Sequence, residues 1–209
     1  MSAHCGHDHP APVAQGPYRK ILWIALVVNA AMFFIEITAG VRAGSVSLLA
    51  DSVDFFGDAA NYGISLWVLA MSVAARARAS LLKAASMAAF GVAVLGSAIW
   101  QMSTGVVPVA ATMGVIGTLA LLANVGVAML LYAYRNGDSN MRSVWLCTRN
   151  DALGNVAVLL AAVGVFGTGQ AWPDFLVAVM MAGLALWSAA QVLRLARAEL
   201  AQAARSEAA

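Results

Sequence analysis

The stretch SLLADSVDFFGDAAN, Ser47 to Asn61, decides how this chain reads. It lies in an apolar run, Ser47–Ala74, long enough to cross a bilayer core of about 30 Å as a helix, yet it carries Asp51, Asp54 and Asp58. On a helix Asp54 and Asp58 stand four residues apart and Asp51 three residues earlier, so all three project from roughly one face. An ionisable group at the bilayer centre costs on the order of 3 kcal/mol or more, which calls for a partner, a wet cavity or a ligand. Like charges so placed repel, and a divalent cation would remove the repulsion by taking carboxylate oxygens as ligands. The plainer alternatives are a helix lining a wet crevice, or pairing with basic residues of neighbouring helices. Arg149 is the one clear basic residue inside the other spans, too few for three acids. Asp51, nearest the helix start, equally suits an acid that packs or hydrogen-bonds behind the ligands.

The rest of the chain supplies the membrane setting. Of 209 residues 62% are hydrophobic and 11% charged, with a mean hydropathy of +0.80, against about 25% charged in soluble domains. Spanning runs recur at Ile21–Ala39, Ser47–Ala74, Leu81–Met102, Ala111–Tyr134, Val144–Phe166 and Phe175–Leu195. They predict an all-α integral membrane bundle of six helices, since uninterrupted apolar runs do not read as a barrel. Basic residues are retained on the cytoplasmic side. Arg19 and Lys20, then Arg76, Arg78 and Lys83, then Arg135 and Arg142, and finally Arg194, Arg197 and Arg205 fall on one side, with only Arg42 on the other. Both termini are therefore expected in the cytoplasm, of a bacterial inner membrane. Trp23, Trp100, Trp145 and Trp172 lie near span ends as interfacial aromatics do; Trp67 and Trp187 fit that belt less well. The net charge of +2 speaks for orientation, not for nucleic acid.

Three segments follow: residues 1–19 as a flexible cytoplasmic tail, 20–198 as the membrane domain, and 199–209 as a short Ala/Arg/Glu-rich helical extension. The tail lacks the basic start and apolar core of a signal peptide. Its HCGHDH packs His4, Cys5, His7, Asp8 and His9 together, groups that bind Zn²⁺ in a spacing that matches no finger. Weak metal capture is the reading there, against a solvated polar terminus of no consequence. The two cysteines, Cys5 and Cys147, fall in the tail and inside a helix and predict no disulfide.

The fifth span supplies a counterpart to the second in SVWLCTRNDALGNVAV, where Cys147 and Asp151 repeat the four-residue spacing. A pair on each of two helices can close a four-coordinate site. Such a site suits Zn²⁺, and a thiolate favours soft or borderline metals. A second register pairs Asp151 with Asn155, a neutral oxygen. Asn29 and Glu36, seven residues apart on the first span, share a face and could bond to the second helix or hydrate the pathway. The ten methionines show no repeated ligand spacing.

NAAMFFIEITAGVRAGSVSLLADSVDFFGDAAN resembles the first two helices of the cation diffusion facilitator family, through Asn29, Glu36, Gly40, Ser45, Leu48, Leu49, Ala50, Asp51, Asp54 and Asp58. ANVGVAMLLYAYRNGDSNMRSVWLCTRNDALGN is similar to its fourth and fifth, through Asn124, Asn140, Arg142, Cys147, Asp151, Ala152, Leu153 and Gly154. The resemblance covers roughly Leu22 to Leu195. It implies a transport site of Asp54, Asp58, Cys147 and Asp151, with Asp51, Glu36, Asn29 and Asn155 behind it or along the pathway. It also implies efflux of a divalent cation driven by inward proton movement. Cys147 stands where the family has His, which tilts the expected cargo toward Zn²⁺ and Cd²⁺, with Mn²⁺, Co²⁺ or Fe²⁺ as the alternative. The family's cytoplasmic domain is not seen in this sequence, so a homodimer is expected through the membrane helices. No cofactor is expected beyond the transported ion, and no enzymatic activity. The rival from another class, an intramembrane aspartyl protease, needs a Gly-x-Gly-Asp sequence that FFGD does not match; a passive channel or a metal sensor is harder to separate by sequence.

Overall fold

The computed structural model describes the backbone of residues 15–67, 73–134 and 139–208. The described residues form six helices and no strand: α1 (Gln15–Ala43), α2 (Val46–Trp67), α3 (Val73–Thr104), α4 (Ala110–Tyr132), α5 (Ser139–Thr168) and α6 (Trp172–Ala208). α1, α3, α5 and α6 each contain one expected span, with α1 and α6 running well past theirs; α4 ends at Tyr132, two residues short of its expected span, and the second span, expected to reach Ala74, is described as α2 only as far as Trp67, with residues 68–72 outside the described residues. A helix does not stop where hydrocarbon does: in α6, Ala, Arg and Glu propagate it beyond Leu195. Segments within α1, α3, α4, α5 and α6 are long and apolar enough to cross a membrane. α2 has the length but is set apart by its three aspartates.

Four helices close a ring in the order α1, α2, α5, α4, and α3 and α6 form a tightly packed pair laid against α2 and α5. Small residues make this possible, because they let helix backbones approach. At Gly40 a methyl group would come within 2.9 Å of Leu49 Cδ2 on α2. The inward stripe of α6 is likewise mostly alanine, with Ala178, Ala182, Ala185 and Ala189 all buried. The outer surface carries the large apolar side chains, among them Phe34, Leu82, Val115, Leu160, Phe166 and Trp187. The interior holds Asn29, Glu36, Asp51, Asp58, Asn124, Asn155 and Asp174. Apolar outside and polar within is the arrangement of a chain whose solvent is lipid.

Three short connections, at 44–45, 105–109 and 169–171, gather at what we call the far end, opposite the start of α1 and the end of α6. Each begins with a glycine at positive φ: Gly44 at 63°, Gly105 at 67° and Gly169 at 62°. A side chain there would be strained, and glycine lets the helix stop at once. The connections are also tied together, by Val109 N–H to Ala43 O at 3.0 Å and Gln101 Nε2 to Gly44 O at 2.6 Å.

Candidate metal site

α2 divides its acids between two environments. Asp54 and Asp58 line a cavity of about 720 Å³ together with Asp151 of α5. Its remaining wall comes from Gly57 and Asn61 of α2, Met87 of α3, Leu153 and Gly154 of α5 and a strip of α6 from Met180 to Leu195. Because α6 runs toward the near end, and Ser188, Gln191 and Leu195 are exposed, the cavity leads from mid-bundle to that end of the molecule. Asp51, Asp58 and Glu36, all acids, lie within electrostatic range of Asp54.

Asp58 is held in place. The Tyr62 hydroxyl, one turn further along α2, donates to Asp58 Oδ2 at 3.0 Å, and it lies 2.6 Å from Thr148 Oγ1 on α5. Tyr62 has one proton to give, so Thr148 is the donor of the second bond. Tyr62 also lies within electrostatic range of Asp151. This tyrosine therefore braces α2 against α5 at the level where their carboxylates face the cavity. Tyr62→Phe keeps the ring and removes the brace; it should weaken metal binding roughly tenfold, in line with the 10–100-fold typical of outer-shell partners. Calorimetric titration with Zn²⁺ checks this, and unchanged affinity counts against the role.

Cys147 occupies the turn of α5 preceding Asp151, as the spacing requires; its side chain lies outside the described residues, as do His4, Cys5, His7 and His9. Among the described residues no three His, Cys, Asp or Glu side chains converge closely enough to enclose an ion. The three carboxylates share a cavity rather than a finished cage.

Asp51 turns the other way, into the ring of four. Asn155 Nδ2 donates to its Oδ2 at 2.6 Å, and Asn124 Nδ2 donates to Asn155 Oδ1 at 2.9 Å. The Glu36 carboxyl lies beside Asp51 and is fully buried. One polar side chain from each ring helix thus meets in the core, one turn farther from the near end than Asp54. Asn155 is committed to this network, which separates it from the cavity that Asp151 lines. Asn29 is fully buried, but it bonds to its own helix, through Nδ2 to Ala25 O at 2.8 Å. Arg149 is exposed and lies over the Trp145 ring, 5.4 Å from its centroid.

Tyr62 and Thr148 were not marked by the sequence pattern. Tyr62 stands four residues after Asp58 and Thr148 next to Cys147, so both occupy positions a reading of the ligand faces could have reached.

Residues 22–201 match the model of the cation efflux transmembrane domain. The chain is 28% identical to the metal cation efflux system protein CzcD of Cupriavidus metallidurans, over 90% of this chain and 60% of that protein. It is 26% identical to a cadmium, cobalt and zinc/H(+)-K(+) antiporter of Bacillus subtilis, over 90% of this chain and 64% of the relative. With the zinc transporter ZitB of Yersinia pestis the identity is 25%, over 93% and 66%. The chain thus spans about 60% of the length of the first of these relatives.

Proposed function

The chain belongs to the cation efflux family of multi-pass membrane proteins, and from that membership we propose that it exports divalent metal cations, Zn²⁺ and Cd²⁺ foremost, in exchange for protons. The observation that carries this reading is the cavity where Asp54, Asp58 and Asp151 stand together, deep in a bundle whose outer surface is apolar, and connected to the near end. The names of the relatives support the class of cargo, and one of them names protons together with potassium as counter-ions. Membership in a transporter family also sets the protease reading aside.

In this mechanism Asp54 and Asp58 from α2 and Cys147 and Asp151 from α5 are the ligands. Metal enters through the near end and displaces protons, since carboxylate and thiol bind metal in their deprotonated forms. The negative charge gathered at the cavity offsets the cost of stripping water from the ion. A change of packing then closes the near end and opens the far one, where protons displace the metal. The same groups serve both ions, so neither rides without releasing the other.

Competition fixes the sign of the pH effect. Apparent metal affinity should fall as pH falls, by about tenfold per pH unit for each proton displaced. Isotherms on purified protein from mildly alkaline to mildly acidic pH test the linkage; superimposable curves overturn it. In sealed proteoliposomes, metal movement should accelerate when a proton gradient opposes it and should itself acidify the compartment that loses metal. A passive channel would move metal without that proton signal, and a sensor would move none.

A further inference from the structure

The far end of the bundle holds a buried acid that metal binding does not use. Asp174 lies in the first turn of α6 and is fully buried. Its Oδ1 accepts from Ser45 Oγ at 2.8 Å and from the Ser47 N–H at 3.1 Å; its Oδ2 accepts from the Val46 N–H at 2.8 Å and from Gln101 Nε2 at 3.3 Å. The backbone N–H groups of Val46 and Ser47 belong to the first turn of α2, which has no partners of its own for them. Their positive end of the helix dipole favours a carboxylate. Ser45 completes the cap within its own segment by accepting from the Leu48 N–H at 3.2 Å.

What distinguishes Asp174 from an ordinary cap is that it comes from another unit of the fold. α2 belongs to the ring of four; α6 and Gln101 on α3 belong to the pair laid against it. At the far end, Asp174 joins the two units through three donors of the ring side, Ser45 Oγ and the N–H groups of Val46 and Ser47, while Gln101, from its own unit, steadies the carboxylate and donates to Gly44 O at 2.6 Å. At the near end, the 720 Å³ cavity parts α2 and α5 from α3 and α6. The molecule is therefore sealed at one end and open at the other along a single seam.

We infer that Asp174 is the latch of the far end, the residue whose bonds to α2 hold the near-open state and must break together before cargo can leave. This rests on the reading that cargo passes between the two ends. Because the three bonds from Ser45, Val46 and Ser47 converge on one carboxylate, the latch has few intermediate positions: once α6 draws away from α2, these donors lose their acceptor at once. An amide in place of the carboxylate keeps the size but turns an NH₂ group toward two of those donors, which removes the reason for the seal without carving a void.

The test reads accessibility and needs neither metal nor a proton gradient, so it stands apart from the transport assay. Full-length protein in liposomes carries a reporter cysteine at Ala178→Cys, buried one turn below the latch, or at Ser188→Cys, exposed in the cavity. Modification by a membrane-impermeant maleimide is located by peptide mass, which separates the reporters from Cys5 and Cys147. With Asp174→Asn, the reporter at 178 should react at least tenfold faster and the reporter at 188 more slowly. Ser45→Ala removes a single donor and should shift both rates in the same directions by less, which keeps the test valid if the Asn variant does not fold. A loosened fold would expose both reporters. Acceleration at both positions, or no change at either, overturns the latch.

Discussion

Liposomes carrying Asp58→Asn should accumulate no more Zn²⁺ under an imposed pH gradient than liposomes without protein. The substitution keeps the shape of the side chain, and the amide oxygen can still accept from Tyr62, whose bond ties α2 to α5. The fold should survive, since one negative charge leaves a cavity that already holds Asp54 and Asp151. In the proposed mechanism the variant loses a charged ligand that trades metal for a proton. An amide binds a divalent ion weakly and carries no exchangeable acid proton, so both halves of the exchange fail together. Loss of an outer-shell partner costs up to about 100-fold, and loss of a charged ligand should exceed that. Zn²⁺ flux from a folded variant at even a tenth of the original rate removes Asp58 from the transport site.

The second large effect is one of selectivity and belongs to Cys147. Sulfur is the soft donor of the proposed set, and carboxylates alone suit harder ions such as Mn²⁺. Cys147→Ser keeps the size and removes the softness, so Cd²⁺ transport should fall on the order of 100-fold while Co²⁺ and Mn²⁺ fall far less. Cys147→His exchanges a thiolate for an imidazole, which is well suited to Zn²⁺. It should preserve Zn²⁺ transport and lower Cd²⁺ relative to it. A Cd²⁺ to Zn²⁺ ratio that is the same in all three proteins would show that the sulfur is not a ligand. The Asp151 with Asn155 register would not then inherit the role unchallenged, because Asn155 is already bonded to Asp51 and Asn124.

The sequence carried the bundle well because apolar length is a property of each segment alone. Ser47–Ala74 and the helix Val46–Trp67 begin one residue apart, for the same reason that Gly44 ends α1: the signal is local. The four-residue spacing of Asp54 and Asp58 was equally legible, since both acids face the cavity as helical geometry demands. Asp51 shows where such reading stops. By spacing it shares their face, but a helix of the ring that also carries the pair has polar groups to face in two directions. Which one Asp51 takes depends on Asn155, 104 residues away. Tyr62 and Thr148 meet across 86 residues, and Asp174 reaches α2 across 127 to 129. An acid in a first turn reads from sequence as a dipole partner of its own helix; nothing in α6 alone says that it serves another.

The three glycine-led connections at the far end also govern how the protein can be handled. Proteases cut where several residues of unwound chain can be drawn into their active site, usually at exposed loop tips. The longest of these connections has five residues, 105 to 109, and Pro108 within it is buried. The link between α1 and α2 has two residues and is pinned by Ser45. Gly105 to Val107 and Val109 are exposed, but so short a stretch between two helix ends should give protease added to the far face little to draw in. In sealed vesicles, copies that turn this face outward would come through trypsin or proteinase K with all three links intact, so the surviving fragments would report which way the protein had been inserted.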